Sequence, residues 1–238
     1  MPFTLAHPAA VLPLRRWCPR LLSFPALIVG SLAPDVGYVF RTTHLDEFSH
    51  TFAGSFAFCL PVGILMLALF YVCRSRAVGI FPDCYREIFL PLCRRPRSSL
   101  FVMAVSLLVG IWLHLFLDSF THKGGWLVER VPLLHAPLAG FGYHALRVHQ
   151  VLWYACSFAG IAWLWLAWER WKQSAGGPML VNPPRVQWRN AILVAALFVP
   201  VEALHHLVGG QAANGVVAIS SLLIVIWAVS ASRQKRCA

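Results

Sequence analysis

Five apolar runs of about 20 residues, the length of helix that spans a bilayer, constrain this chain more than any other feature. They cover residues 51–73, 98–120, 148–168, 190–208 and 212–231. A helix rises about 1.5 Å per residue, and the hydrocarbon core of a membrane is about 30 Å thick. The runs therefore predict an all-α fold: a polytopic transmembrane helical bundle with five clear spanning helices.

The composition agrees with a membrane protein. Apolar residues make up 58% of the chain and charged residues only 12%, whereas soluble domains carry about 25% charged residues. The net charge of +11 would suggest a nucleic-acid partner for a soluble protein. Here the basic residues lie between the apolar runs, so membrane lipid is the expected partner and nucleic acid is not.

The seven cysteines are scattered and form no Cys-x-x-Cys pair, which argues against a disulfide framework and against a thiolate metal site. The N-terminus is not typical of a secretory signal, because Arg15, Arg16 and Arg20 follow the first apolar stretch instead of preceding it. We therefore expect His7 to be retained.

The segment before residue 50 allows two interpretations. Residues 21–40 are largely apolar, but Pro25, Pro34 and Asp35 interrupt them. Irregular backbone at membrane depth requires protein or water around it. The segment therefore either spans the membrane or forms a short helical hairpin packed inside the protein.

No internal repeat or low-complexity tract divides the chain, and we expect a single integral membrane domain. The stretch 174–178 is typical of a flexible loop within it. The parts of this domain are a membrane-embedded N-terminal segment (1–50), the transmembrane bundle (51–231) and a basic tail (232–238).

Lysine and arginine lie mainly on one side of the predicted bundle. Six are in the connection 74–97, four are in 169–189 and three are in the tail. On the opposite side, the connection 121–147 has three and the turn 209–211 has none. Because basic residues favour the cytoplasmic side, this distribution predicts a cytoplasmic C-terminus. None of the ten histidines lies in the arginine-rich segments, so the imidazoles gather on the non-cytoplasmic side.

The strongest chemical signal is a His-x-x-x-Asp-x-x-x-His motif at the end of the run 98–120, formed by His114, Asp118 and His122. Residues four apart lie on one face of a helix, about 6 Å apart along its axis. His114 and Asp118 can therefore bind one ion. The alternative is a buried Asp–His hydrogen bond without metal. His122 is a further ligand, a supporting group or an acid/base.

Three more residues join this motif as candidate ligands. His50 begins the run 51–73, Asp35 follows Pro34, and His7 lies near the N-terminus. Each alone has an ordinary explanation, such as an interfacial histidine or a turn aspartate. Together, His and carboxylate are the ligand set of Zn, Mn and Fe sites, which helical bundles assemble from separate helices. A hairpin over 8–34 would return His7 and Asp35 to one level.

The run 190–208 adds Glu202, His205 and His206 toward the same outer end. Glu202 and His206 are four residues apart and share one helix face. They form either a hydrogen-bonded patch that supports the bundle, or a group that supports the metal site or an ion path.

Several stretches resemble a bacterial membrane family, domain of unknown function 4184. They are MPFTLAHPAAVLPL at the start, LSFPALIVGSLAPD (22–35), HTFAGSFAFCLPVGIL (50–65) and WLHLFLDSFTHKGGW (112–126). The arrangement also resembles the wider group of inner-membrane proteins described as metal-dependent hydrolases. That resemblance implies an inner-membrane location and a divalent-metal site. Its metal ligands would be His7, Asp35, His50, His114 and Asp118.

The leading hypothesis is a membrane-embedded metal-dependent hydrolase. We expect Zn²⁺, or else Mn or Fe, near the non-cytoplasmic face, with His122 transferring protons and a lipid or phosphoester as substrate. One alternative is a transporter or proton relay that uses Asp118, Glu202 and His206. The other is a non-catalytic membrane scaffold in which the cluster is structural.

Overall fold

The computed structural model describes residues 3–78, 83–139 and 146–174, and this part of the chain is mostly helical, which confirms the all-α fold class. The α-helices are α1 (Pro8–Val11), α2 (Phe24–Leu32), α3 (Leu45–Ser49), α4 (Phe52–Gly54), α5 (Leu60–Val78), α6 (Asp83–Cys93), α7 (Leu100–Thr121), α8 (Trp126–Arg130), α9 (Pro132–His135) and α10 (Val148–Ser174). Three 3₁₀ segments, Thr4–Ala6, Leu12–Trp17 and Pro34–Thr43, and one π-helical turn, Ser55–Cys59, complete the helical structure. Two short strands, β1 (Pro137–Ala139) and β2 (Leu146–Arg147), pair antiparallel.

Three helices in the described residues are long and apolar enough to cross a membrane. They are Phe52–Ser75, Leu100–Thr121 and Val148–Ser174, and they coincide with the first three apolar runs. These spans indicate a membrane protein. The runs 190–208 and 212–231 lie outside the described residues, so the count of five spans stays a prediction.

Helix α2 does not span the membrane. Its nine residues extend only about 14 Å, less than half of the hydrocarbon thickness. It runs parallel to α7, since Ser23 and Ser31 contact Ser106 and His114 in that order. Of the two interpretations of residues 21–40, the structure has the short hairpin: the chain leaves His7 through α1, turns, and returns through α2.

Helices α2 and α7 approach so closely that their backbones touch. A Cβ atom on Gly30 would collide with the Leu107 carbonyl group, and one on Gly110 would collide with the Leu27 carbonyl oxygen. Small residues allow such crossings within a membrane. The close approach brings the Ser31 carbonyl oxygen to 2.8 Å from Nδ1 of His114.

Helix α5 and the turn before it pack antiparallel to α7. The indole N–H of Trp112 donates to Ser55 Oγ (3.3 Å) near one end, and Leu67 packs with Leu107 further along. A second buried cluster consists of Ala33, which follows α2, Cys59 and Ile111. The hairpin is thus held against both spanning helices.

Two elements differ from the prediction. The connection 74–97 contains α6, an 11-residue helix with Pro91 inside it, and the connection that follows α7 contains the β1–β2 pair. Neither element has the apolar length of a membrane span. The 11 residues of α6 reach only about 17 Å as a helix, and the strands have three and two residues. Among the described residues, the free thiols are Cys18, Cys59, Cys73, Cys93 and Cys156.

The chain divides into two compact units, and all the described candidate ligands lie in the first. The first unit contains residues 1–75 and 94–171, and the second contains residues 76–93 and 172–238. In the first unit, α5, α7 and the N-terminal hairpin pack together. In the described part of the second, α6 is the main element. The single membrane domain stays a prediction.

We predict that Gly110→Ala destabilises the protein and weakens its metal binding. The added methyl would push α2 away from α7 at a cost of about 1–3 kcal/mol for an overpacked contact, and would lengthen the Ser31–His114 hydrogen bond. Thermal unfolding in detergent and the metal content after purification measure the two effects. Gly124→Ala is the control, because a Cβ there meets no atom within 4 Å. Equal behaviour of the two variants would contradict the close-crossing account.

Candidate metal centre

Helix α7 supplies the central pair of the site. Ser99 caps the start of this helix by accepting a hydrogen bond from the Val102 N–H (3.3 Å), and the helix continues to Thr121. His114 and Asp118 lie one turn apart and are both buried. Nε2 of His114 is 3.4 Å from Oδ2 of Asp118. The four-residue spacing therefore puts the pair on one face, as predicted.

Asp35 arrives from the end of the hairpin. It follows Pro34 at the start of a 3₁₀ segment, and its side chain is almost fully buried. Its Oδ1 lies 3.3 Å from Nε2 of His114 and 3.7 Å from Nε2 of His50. Neither carboxylate oxygen of Asp35 has a hydrogen-bond partner, although both distances fall within ion-pair range. The neighbouring nitrogens are close but do not point an N–H at this carboxylate.

His7 directly precedes α1, the first helix of the hairpin. Its Nε2 lies 3.3 Å from Oδ1 of Asp118, and its ring stacks on that of His114 with centroids 3.9 Å apart and planes 19° apart. Proline at the first position of α1 suits a helix start at this point. His7 is 1% exposed, so a residue near the chain terminus is buried in the interior of the bundle.

His50 closes the group at the start of the first span. Its Nε2 lies 3.4 Å from Nε2 of His114 and 3.5 Å from Oδ2 of Asp118. His50 is the C-cap residue that follows α3, and Thr51 then caps α4 by accepting the Gly54 N–H (2.9 Å). The π-helical turn that follows is of a kind often found at functional sites.

The hydrogen bonds of the three histidines assign their tautomers. In each ring the Nδ1–H donates to a backbone carbonyl oxygen: that of Thr4 for His7 (3.3 Å), Asp46 for His50 (2.7 Å) and Ser31 for His114 (2.8 Å). A neutral imidazole carries a single N–H. In the neutral form that binds metal, all three Nε2 atoms therefore present lone pairs to the centre, the arrangement by which outer hydrogen bonds orient metal-binding histidines.

When the three rings are neutral, the centre joins three imidazole lone pairs and two carboxylates without a donor between them. Such a group is mutually repulsive unless a cation lies within it. The nitrogen–oxygen and nitrogen–nitrogen distances of 3.3–3.7 Å match the separation of about 3.3–3.6 Å between neighbouring ligands whose bonds to a tetrahedral ion are about 2.0–2.2 Å. Two sets could hold an ion: His7, His114 and Asp118, and Asp35, His50 and His114.

Two groups outside the spans have shifted pKa values that suit this arrangement. Burial lowers the pKa of His7, with a further contribution from the neighbouring His114, so the ring stays neutral and able to bind metal. Burial opposes ionisation of Asp35, but when the adjacent His114 and His50 imidazoles carry a proton, their hydrogen bonds and the positive charge outweigh it and hold the pKa of the carboxyl below its usual range. The carboxylate is therefore the form present near neutral pH.

His122 lies beside the centre without joining either set. Its Nδ1 is 3.6 Å from Oδ1 of Asp118 and donates to the Asp118 carbonyl oxygen (3.3 Å). Its Nε2 is buried and has no hydrogen-bond partner. The motif thus separates by role: His114 and Asp118 face the centre, and His122 borders it.

The structure brings together all five residues that the sequence proposed as ligands, and their role as ligands stays a prediction. Other histidines lie elsewhere: His44 is exposed and 3.9 Å from Glu47, and His135 and His149 contact each other. Glu202, His205 and His206 lie outside the described residues.

Sequence reasoning missed the groups that orient the ligands. The Ser49 hydroxyl lies 2.9 Å from the Pro34 carbonyl oxygen and so ties the Asp35 segment to the His50 segment. The three carbonyl oxygens that accept the histidine N–H groups are backbone atoms, which leave no signature in side-chain spacing. Small residues in apolar stretches, here Gly30 and Gly110, could have indicated the close helix contact behind them.

A comparison with known protein families matches nearly the whole chain to one family. The family model Domain of unknown function (DUF4184) matches residues 1–233. The chain belongs to this family. The family resemblance drawn from the sequence motifs is thereby confirmed, and nearly the whole chain, including all five candidate ligands, lies within the match. No curated protein and no solved structure matches the chain.

We predict that Asp118→Asn abolishes stoichiometric metal binding. The amide keeps the shape of the side chain but removes the negative charge that the His7, His50 and His114 imidazoles face. We expect the metal affinity to fall at least about 100-fold, since even groups that only support a ligand contribute about 10–100-fold. Mass spectrometry of metal per protein, on samples purified without chelator, measures the effect. Glu129→Gln is the control, an exposed carboxylate in α8. Full metal content in Asp118→Asn would remove Asp118 from the ligand set.

Proposed function

We propose that the chain is a membrane-embedded metal-dependent hydrolase whose centre lies near the non-cytoplasmic face. The observation that carries the proposal is the convergence of three imidazole lone pairs and two carboxylates in a buried site. His and Asp together suit Zn²⁺, Mn²⁺ or Fe²⁺, and Zn²⁺ is the first candidate.

The five converging residues would hold the ion. His7, His50 and His114 offer Nε2, and Asp35 and Asp118 offer carboxylate oxygens. The chemistry that such an ion supplies is a pKa of bound water lowered toward about 7 and polarisation of the bond to be cleaved. Buried positions and backbone hydrogen bonds keep these side chains in place before any ion binds, which is the support a catalytic site requires.

His122 is the proposed proton-transfer residue. Because its Nδ1–H is held by the Asp118 carbonyl oxygen (3.3 Å), its Nε2 is the nitrogen available to take up a proton. That atom has no partner among the described residues, while 29% of the side chain is exposed. A neutral histidine beside the reacting group can accept a proton and return it to the leaving group.

The surroundings of the centre favour an amphiphilic substrate. His50 is the most exposed of the five candidate ligands, with 17% of its side chain accessible, so the centre is accessible from the side where His50 lies. Two residues further along the chain, Phe52 is exposed and stacks on Trp112 with centroids 6.0 Å apart. An apolar face beside a polar centre suits a lipid whose ester or phosphoester group enters the site, and such a lipid is our proposed substrate.

The two other hypotheses are outcomes of the same tests. A transporter or proton relay would require Glu202 and His206, which lie outside the described residues. A non-catalytic scaffold would hold metal without hydrolysing anything. No contact among the described residues favours either hypothesis.

We further propose an inner-membrane location with a cytoplasmic C-terminus, which places the centre on the non-cytoplasmic side. Arg94, Arg95 and Arg97 immediately precede α7, and the centre lies near the opposite end of that helix. We predict that a fluorescent reporter at the C-terminus is active, and that one requiring export is silent. The reverse pattern would invert the proposed orientation.

We predict metal-dependent ester hydrolysis by the purified protein. The assays are release of p-nitrophenol from a phosphomonoester, a phosphodiester and a carboxylic ester, and mass spectrometry of mixed phospholipid vesicles. His122→Gln should keep its metal but lose about 10²–10⁴-fold in rate, the usual contribution of a general acid/base. The exposed His44→Gln is the control. A fully metal-loaded wild type that hydrolyses no substrate would favour the scaffold hypothesis.

A further inference from the structure

The two carboxylate oxygens of Asp118 face different partners. Oδ1 points toward the N-terminal hairpin, where Nε2 of His7 lies 3.3 Å away. Oδ2 points toward His50 and His114, whose Nε2 atoms lie 3.5 and 3.4 Å away. A carboxylate that serves a single ion needs only one of these environments. Asp118 therefore lies between two sets of nitrogen ligands.

The candidate ligands also separate into two groups. One consists of His7, His114 and Asp118, and the other of Asp35, His50 and His114, each with its ligand atoms within 4.8 Å of one another. Only His114 belongs to both, and its Nδ1–H is engaged by Ser31, so its single free lone pair can bind one ion. Asp118 has two oxygens and can serve two.

We propose that the centre holds two divalent cations bridged by Asp118, with His7 on one ion and His50 and Asp35 on the other. The inference rests on the proposed function in one respect, that the centre binds metal. Two-metal sites hold their ions about 3.5–4 Å apart, a separation that the two oxygens of one carboxylate can bridge. His114 completes the coordination of one of the two ions.

Charge then narrows the substrate class. Two divalent cations bring four positive charges, and the two carboxylates of Asp35 and Asp118 neutralise two of them. The remaining positive charge favours an anionic group between the ions, as in the phosphoryl chemistry that two-metal sites support. A phosphoester is therefore favoured over a neutral carboxylic ester.

The competing interpretation is a single ion with His7 as a hydrogen-bond donor to Asp118. If His7 is neutral, this interpretation requires it to donate from Nε2, which leaves its Nδ1 as a bare acceptor 3.3 Å from the Thr4 carbonyl oxygen. In the two-ion interpretation Nδ1–H donates to Thr4 and Nε2 binds metal, so both contacts are favourable. The stacking of His7 on His114, with centroids 3.9 Å apart, holds the two rings side by side.

The test compares metal stoichiometry in matched variants. His7→Asn and His50→Asn retain a side-chain N–H near the position of Nδ1 but remove Nε2. His149→Asn is the control, because this buried histidine also donates from Nδ1 to a backbone carbonyl, that of Leu134 (2.9 Å), away from the centre. Each full-length protein is loaded with Zn²⁺, freed of excess metal, and analysed for metal per chain. Parallel Mn²⁺ samples are examined by electron paramagnetic resonance.

We expect about two ions per chain in wild type and the His149→Asn control, and about one in His7→Asn. The Mn²⁺ spectrum should change from a spin-coupled pair in wild type to an isolated ion in His7→Asn. One ion in both wild type and His7→Asn would overturn the two-ion proposal while leaving the proposed function intact. Two ions in His7→Asn, or none in a folded His7→Asn, would overturn the assignment of His7 to a separate ion. A wild type without metal would overturn both proposals.

Discussion

The candidate metal centre depends on how the repulsion between its buried imidazole lone pairs and carboxylate charges is offset. Imidazole nitrogens and carboxylate oxygens approach to 3.3–3.7 Å with each histidine N–H already engaged by backbone. In a low-dielectric interior, a group of acceptors without a donor is costly. A divalent cation would remove that cost, and the N-terminal hairpin brings the candidate ligands to one level. The fold of the hairpin and the chemistry of the centre are therefore linked.

That link passes through a single helix crossing. Because Gly30 and Gly110 let the backbones of α2 and α7 touch, the Ser31 carbonyl reaches His114 and the chain continues directly to Asp35. Larger side chains at either glycine would separate the helices. The hairpin is too short to span the membrane, but it does not need to, since its role is to carry His7 and Asp35 to the end of α7.

Much of the site was predictable from sequence because it follows from periodicity. Four-residue spacing placed His114 and Asp118 on one face, and the idea of a hairpin over 8–34 placed His7 and Asp35 at a common level. The tautomers were not predictable, since they depend on backbone carbonyls whose positions are set by tertiary packing. Neither was the separate environment of each Asp118 oxygen, which depends on the direction from which His7 and His50 approach. Helix α6 was missed because its 11 residues carry no spanning signal.

X-ray absorption spectroscopy of the Zn²⁺-loaded protein tests the central claim most directly, because it reports the atoms bound to the metal. The account predicts a first shell of nitrogen and oxygen at about 2.0–2.1 Å with the outer scattering of imidazole rings, and no sulfur at about 2.3 Å. The imidazole scattering should weaken in the His50→Asn and His114→Asn variants, each of which lacks one of the three candidate imidazole ligands. A spectrum of a hydrated ion without imidazole scattering, or one with sulfur ligands, would contradict the account.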